Sequence, residues 1–306
     1  MQYIKTVLGN VAETELGRIL PHEHICCYFE YFDRMLGKEY LDKEKLAEKS
    51  VEHLLEMKEK YGLQTIVDCT PVNIGRDIGL LKEVSRRSGL HIVCSTGFYY
   101  TQESMLGNIS EEYIAEVVLR DMELTNAGVI KYAVEDAEIS ALSWKLLSVL
   151  CTVQKKTGLP LIIHTNGKNQ NGREVLAYVL EKGIRPEALT IGHLSDSEDL
   201  SFVEEILKSG CYVGFDRIYK DLNPEYRAKK AADISYLCEK GYTDRILLSH
   251  DALTFNGFHT GAEIREDNPY IFIMEYLIPE LRKAGIADET IEKLICQNPV
   301  NMLLCR

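Results

Sequence analysis

Residues 19–25 read Ile-Leu-Pro-His-Glu-His-Ile, an apolar run that carries two histidines separated by one residue. Successive side chains of a β-strand point to opposite faces, so His22 and His24 would lie on the same face. Two imidazoles at that spacing can bind one metal ion. Because a metal ion in a protein needs more than two ligands, the segment predicts that later parts of the chain supply the others.

Candidate ligands recur in or directly after later apolar runs. They are Lys131, His164, His193 and Asp251. The first three follow one another at intervals of about 30 residues, which is the length of one strand-and-helix unit, and Asp251 lies two such intervals further on. This spacing indicates that strands and helices alternate along the chain.

Eight apolar runs alternate with amphipathic helical patterns after residue 18. The predicted strands cover residues 18–25, 65–70, 91–97, 129–134, 161–164, 189–193, 211–215 and 245–250. The main predicted helices cover residues 42–60, 79–87, 111–124, 140–156, 173–182, 200–208, 225–240, 269–283 and 288–296, followed by a short final one. Strands that are apolar on both faces are typical of a parallel sheet covered by helices.

This order predicts an α/β fold, a (β/α)8 TIM barrel that forms a single domain over residues 1–306. Residues 1–18 place turn residues between short apolar stretches and predict a short N-terminal hairpin. A doubly wound open sheet is the alternative. It would favour a glycine-rich phosphate loop after the first strand, where this chain has His-Glu-His.

Composition and charge limit the classes of partner that we expect for the protein. The net charge is −12, which argues against nucleic acid or an anionic membrane as a general partner. The N-terminus lacks a signal-peptide pattern, and no run approaches the roughly 18 apolar residues of a membrane span. Nine cysteines without a Cys-x-x-Cys motif are typical of a reduced protein. We therefore expect a cytoplasmic protein that acts on a small molecule.

In a parallel barrel all strands end at one rim, so the candidate ligands would converge there. Four imidazoles, one carboxylate and one amine exceed the ligand set of a single zinc ion and suit two ions that share a bridging group. Burial lowers the pKa of a lysine and makes neutral amine available. A neutral Lys131 amine can add carbon dioxide, and the two oxygens of the resulting carbamate can bridge two cations.

Six short motifs resemble the phosphotriesterase family of the amidohydrolase superfamily. They are Pro-His-Glu-His at 21–24, Gly-Val-Ile-Lys-Tyr-Ala at 128–133, Ile-His-Thr at 163–165, Ile-Gly-His at 191–193, Gly-Phe-Asp-Arg at 214–217 and Ser-His-Asp at 249–251. The resemblance implies that His22, His24 and Asp251 hold a buried metal ion. It implies that His164 and His193 hold a more exposed one, with carboxylated Lys131 and a hydroxide between them. Zinc is expected, and manganese, cobalt or iron also accept this ligand set.

Two further segments resemble the phosphotriesterase-like lactonases within that family. They are Ser-Thr-Gly-Phe-Tyr at 95–99 and Phe-Asp-Arg at 215–217. The resemblance implies that Tyr99 and Arg217 contact substrate, and that Asp251 also accepts a proton during catalysis. Wall packing for Tyr99, a salt bridge for Arg217 and a helix N-cap for Asp251 remain the alternatives. Relatives of this kind also suggest a homodimer.

Together with these residues, the resemblance implies a metal-dependent hydrolase acting on ester bonds, with a lactonase as the first candidate. The polar loop 252–268 favours a polar lactone, and nearby cations extend this to a phosphorylated sugar lactone. Those cations, in or near rim loops, are Arg217, Lys220, Arg227 and Arg265. A phosphotriesterase or phosphodiesterase is the alternative, and a non-catalytic ligand-binding barrel is a remote one.

Overall fold

A computed structural model describes residues 2–101, 104–218 and 223–306. Within them, nine parallel strands form one curled sheet in the order β10-β9-β8-β7-β6-β5-β4-β3-β11, and β1 and β2 form an antiparallel hairpin. The strands are β1 (Tyr3–Thr6), β2 (Gly9–Ala12), β3 (Arg18–Cys27), β4 (Leu63–Asp68), β5 (His91–Gly97), β6 (Val129–Ala133), β7 (Leu161–His164), β8 (Leu189–Gly192), β9 (Tyr212–Phe215), β10 (Ile246–Leu248) and β11 (Leu253–Asn256). The α/β TIM barrel and the N-terminal hairpin are thereby confirmed.

The eighth barrel strand is split into two pieces. β10 pairs with β9 on one side of the barrel, whereas β11 pairs with β3 on the other. Between them, the Asp251 amide donates to the His22 carbonyl (3.1 Å) and the His24 amide donates to the Ala252 carbonyl (2.9 Å). The strand predicted over 245–250 corresponds to β10 and extends two residues beyond its end, and the chain then adopts a left-handed conformation at Asp251, where φ is 54°.

Helices follow the strands, and many begin at a polar residue whose side chain caps the helix. They are α1 (Glu30–Leu36), α2 (Lys43–Tyr61), α3 (Ile78–Ser88), α4 (Glu111–Thr125), α5 (Ala141–Thr157), α6 (Gly172–Glu181), α7 (Leu200–Lys208), α8 (Pro224–Glu239), α9 (Ile278–Lys283), α10 (Asp288–Glu292) and α11 (Asn298–Leu303). Asp42, for example, accepts hydrogen bonds from the amides of Glu44 and Lys45 at the start of α2. α1 was not predicted, and π-helical turns join the last helices to neighbouring segments. No helix in the described ranges is long and apolar enough to cross a membrane.

Two apolar layers leave one end of the barrel polar. The larger core lies between the sheet and the helices. A smaller cluster combines residues of the barrel strands with Ile4 of the hairpin and Met302 near the C-terminus. Its strand members are Ile19, Val67, Val93, Val129, Ile162, Tyr212 and Leu247. Most of these residues lie in the first half of their strands, and the polar candidate ligands lie further along, toward the other end of the barrel.

Candidate metal centre

The structure gathers all six candidate ligands at the C-terminal ends of the strands. They are His22 and His24 on β3, Lys131 on β6, His164 on β7, His193 after β8 and Asp251 after β10. Three short distances connect them: 2.7 Å from His22 Nε2 to Lys131 Nζ, 2.9 Å from His193 Nε2 to His164 Nδ1, and 3.1 Å from His24 Nε2 to Asp251 Oδ1. All except Asp251 are buried.

Two of the candidate ligands adopt a backbone conformation that is rare for residues other than glycine. His193 has φ 64° and Asp251 has φ 54°, both in the left-handed region. Each follows the end of a strand, and the His193 Nε2 and Asp251 Oδ2 atoms lie 3.7 Å apart. Ligand atoms of His22, His193 and Asp251 all lie within 4.8 Å of one another, a spacing that is compatible with metal binding.

One carboxylate binds the far side of two histidines. The Nδ1 atoms of His22 and His193 lie 2.6 and 3.0 Å from opposite oxygens of Asp216, which is only 2% exposed. A carboxylate accepts hydrogen bonds, so both Nδ1 atoms carry the proton and both Nε2 lone pairs face the centre. This is the tautomer that a metal-binding imidazole needs.

The other two histidines are held in the same way by different partners. His24 Nδ1 lies 2.8 Å from Thr70 Oγ, which itself donates to the Cys26 carbonyl and so accepts from the imidazole. His164 Nε2 lies 2.6 Å from Glu135 Oε2, leaving its Nδ1 toward the centre. Every histidine therefore presents one lone pair inward, and the donor set fits divalent metal ions.

The sequence alone does not indicate a role for Asp216, Thr70 or Glu135. Asp216 lies within the motif at 214–217, but nothing in that motif shows that its side chain reaches two neighbouring strands. Thr70 and Glu135 each follow a predicted barrel strand within a few residues, and that position is the only signal that could have indicated them.

Electrostatics favour neutral ligands in the protein without metal. Burial lowers the pKa of His164 to about 4 and lowers the pKa values of His22 and His193. Burial also lowers the pKa of Lys131, whose residue is 1% exposed. Burial alone would raise the pKa of Asp216, but His193 and His22 hold it well below its usual range. Burial thus favours the neutral imidazoles and the neutral amine, which are the forms that bind a metal ion or add carbon dioxide.

Arg217 lies in the wall of the centre and also forms salt bridges. Its Nε donates to Asp251 Oδ2 at 2.9 Å and its Nη1 to Asp196 Oδ2 at 3.1 Å. Although burial opposes it, these two carboxylates raise the pKa of Arg217. The ring of Tyr99 stands edge-on to the His164 ring, with 5.7 Å between centroids, and burial raises its pKa. Both side chains therefore border the six candidate ligands.

Glu23 points away from the centre and binds the residues that lie between the two pieces of the eighth strand. Its Oε1 accepts from the His250 amide (3.0 Å) and from His250 Nδ1 (2.6 Å), and its Oε2 accepts from the Ala252 amide (3.0 Å). Ser249 Oγ also donates to Oε1 at 2.8 Å. One carboxylate thus binds the backbone on both sides of Asp251 and fixes where that ligand stands.

A cavity of about 260 Å³ opens onto the centre. Besides candidate ligands, its walls contain Cys27, Ile74, Tyr99, Arg217, Leu253, Asn256, Phe258 and His259. Arg265 pairs with Asp267 (Nε to Oδ1, 3.2 Å), and Arg227 lies over the Tyr276 ring, so neither lines the cavity. Lys220 lies outside the described residues. Of the four cations expected near the rim, Arg217 alone is described in the wall.

Comparison with known proteins agrees with this geometry. The Phosphotriesterase family matches residues 2–303. A phosphotriesterase homology protein of Mycobacterium tuberculosis is 26% identical over 98% of this chain and 97% of its own. An aryldialkylphosphatase of Saccharolobus solfataricus is 27% identical over 95% and 96%. An N-acetyltaurine hydrolase of Bos taurus is 28% identical over 98% and 97%.

These matches span nearly the whole chain and its relatives alike, so they concern the entire barrel rather than one motif. The relatives with a named reaction are hydrolases, which supports a hydrolase here. With its TIM-barrel fold, its histidine and carboxylate cluster at the strand ends, and a family match over residues 2–303, the chain belongs to the phosphotriesterase family.

Proposed function

We propose that the protein is a hydrolase that uses two divalent metal ions to open a small polar lactone. The observation that carries this proposal is the donor set. Four buried imidazoles present lone pairs to one centre, each with its other ring nitrogen hydrogen-bonded, beside a buried lysine and a carboxylate. Two divalent ions bound there would activate a water and polarise the substrate carbonyl.

The residues divide into two groups. His22, His24 and Asp251 would hold one ion, while His164 and His193 would hold the other. Lys131 lies beside His22, where its amine would add carbon dioxide and release a proton, and the resulting carbamate would supply oxygen ligands. Zinc is the expected metal, and manganese, cobalt or iron remain alternatives.

Asp251 is oriented for proton transfer. Its Oδ1 lies 3.1 Å from His24 Nε2, and its Oδ2 accepts from Arg217 Nε at 2.9 Å. This arrangement keeps the carboxylate ionised, so it would accept the proton of the attacking water. The hydroxyl of Tyr99 stays protonated, since burial raises its pKa, and would donate to the oxygen of the opening ring. The product is a hydroxy acid.

The cavity limits the substrate. A volume of about 260 Å³ suits a small ring with a short substituent rather than a long acyl chain. Asn256 and His259 supply polar contacts, and Phe258 supplies an apolar one. Because Asp196 and Asp251 already neutralise Arg217, an uncharged polar lactone is favoured over a phosphorylated one. This narrows the substrate expected from the sequence.

A phosphotriesterase is the second candidate, and the 27% identity with an aryldialkylphosphatase favours it. The same metals and the same Asp251 would serve attack on phosphorus. Hydrolysis of an amide is a third reaction suggested by the N-acetyltaurine hydrolases. A barrel that only binds a ligand is disfavoured because all six candidate ligands are present.

The test is metal analysis combined with a substrate panel. The panel contains uncharged sugar lactones, phosphorylated sugar lactones, an acyl-homoserine lactone, paraoxon and N-acetyltaurine. About two metal ions per chain and preferential turnover of an uncharged lactone are expected. Equal or better turnover of paraoxon or N-acetyltaurine would replace the lactonase proposal. Protein purified without chelator and containing no metal would contradict the two-metal proposal itself.

A further inference from the structure

Asp216 differs from the other partners of the histidines because it holds two of them. Its Oδ2 lies 2.6 Å from His22 Nδ1, and its Oδ1 lies 3.0 Å from His193 Nδ1 and 2.7 Å from the His193 amide nitrogen. By contrast, of the four histidine rings Thr70 is hydrogen-bonded to that of His24 and Glu135 to that of His164. Asp216 therefore contacts one ligand from each group.

The surrounding backbone leaves space for this carboxylate. A Cβ at Gly214 would collide with the Asp216 carboxylate, and one at Gly192 would lie 3.1 Å from its Oδ2. Neither glycine has a positive φ, so neither is needed for an unusual backbone conformation. Glycine at these positions on β8 and β9 instead lets Asp216 turn back beneath the two histidines.

We propose that Asp216 is a positioning residue that couples the occupancy of the two metal sites. The inference rests on the proposed two-metal function. One buried acceptor sets the tautomer and the ring orientation of His22 in one group and His193 in the other. Loss of this single acceptor then weakens both sites, whereas loss of Thr70 or Glu135 as an acceptor weakens one site each.

The experiment titrates the metal-free protein with Co²⁺ and follows metal per chain after equilibrium dialysis, together with the visible absorption of the bound ion. Wild type is compared with Asp216→Asn, Thr70→Val and Glu135→Ala. An asparagine oxygen can accept from one ring only, and its NH₂ group opposes the second Nδ1–H. In D216N the Co²⁺ affinity of both sites is expected to fall by about 10- to 100-fold. T70V is expected to weaken only the site that contains His24, and E135A only the site that contains His164.

Retention of either site at near wild-type affinity in a folded D216N protein overturns the coupling. If circular dichroism shows D216N to be unfolded, the same titration is carried out on Gly214→Ala, because the new Cβ displaces the Asp216 carboxylate without removing it. G214A is expected to weaken both sites, and a change at one site or none overturns the proposal. Gly107→Ala, whose Cβ meets nothing within 4 Å, is the matched control with unchanged binding. Wild type that binds fewer than two ions would instead overturn the proposed function.

Discussion

At the residue scale, the site depends on which atom of each side chain faces inward. The histidines do not differ in chemistry from any other histidine, but each has an acceptor that fixes its proton on the outer nitrogen. Lys131 is exceptional because it is a lysine that is only 1% exposed and touches His22 Nε2 through its amine. Burial of an unmodified ammonium would be costly, which favours a modified or neutral form.

Replacing Lys131 tests its role as a bridge. Lys131→Met removes the nitrogen but keeps the length and the apolar stem, so we expect loss of the second metal ion and an activity loss of at least about 100-fold. Lys131→Glu supplies two carboxylate oxygens directly and should retain more metal than K131M. Metal per chain after gel filtration is the measurement. Two firmly bound ions in K131M would show that Lys131 does not bridge.

Arg217 should influence catalysis through Asp251. Arg217→Met removes the hydrogen bonds to Asp251 and Asp196, so Asp251 loses its orientation and activity is expected to fall by about 10- to 100-fold. The comparison is steady-state kcat and KM on the best substrate. Arg265→Met is the control, since Arg265 pairs with Asp267 outside the cavity. Equal activity of R217M and wild type would leave Arg217 with a purely structural salt bridge.

At the scale of elements, the gap in the eighth strand determines where Asp251 stands. β10 pairs with β9 and β11 pairs with β3, so the residues between them connect the two ends of the sheet where the barrel closes. Glu23 bonds to His250 and Ala252 on either side of Asp251, while His250 Nε2 accepts from the Ile273 amide at 3.0 Å. The Glu23 carboxylate therefore connects the two pieces of the eighth strand, the candidate ligand Asp251 and, through His250, the helical segment that contains Ile273.

Neutralising Glu23 should weaken this connection. In Glu23→Gln, one amide NH₂ faces backbone donors, so we expect the free energy of unfolding to fall by about 2–4 kcal/mol. Urea denaturation of the metal-free proteins measures the change. Glu266→Gln is the control: its side chain is 69% exposed and pairs with Lys49, so its loss should cost at most about 1 kcal/mol. An unchanged urea midpoint for E23Q would contradict this role.

At the scale of the whole molecule, the polar end of the barrel lowers stability when no metal is present. Buried imidazoles lose their hydration, and acid favours unfolding because the unfolded chain takes up protons more readily. A histidine titrates near 6.5 when unfolded, whereas burial lowers the pKa of His164 to about 4. Between these values the unfolded state binds more protons than the folded state.

The metal-free protein should therefore lose stability as pH falls from about 6.5 to about 4. Urea unfolding of metal-free wild type at pH 7.0, 5.5 and 4.5 measures the slope. His164→Asn removes one of the responsible groups, so its stability should depend less steeply on pH over the same range. Identical slopes for H164N and wild type would show that other groups cause the acid sensitivity.

Much of the fold and site could be predicted because both depend on local patterns. Apolar runs alternating with amphipathic segments indicate buried parallel strands and surface helices, and the spacing of His164 and His193 follows the repeat. Boundaries agree to within about two residues at most elements, since caps such as Asp42 are local signals. α1 was missed because the pattern around residues 30–36 leaves four large apolar side chains exposed.

By itself, the sequence determined the barrel, the rim to which its strands point and the identity of the six candidate ligands. Only the tertiary structure decided which groups hold those ligands: Asp216 beneath two histidines, Thr70 and Glu135 behind the others, and Glu23 across the split strand. It also decided that Arg265 lies outside the cavity. The physical reason is that strand periodicity is a local property of the chain, whereas a hydrogen bond between neighbouring strands depends on side-chain direction and on space, such as that left by Gly214.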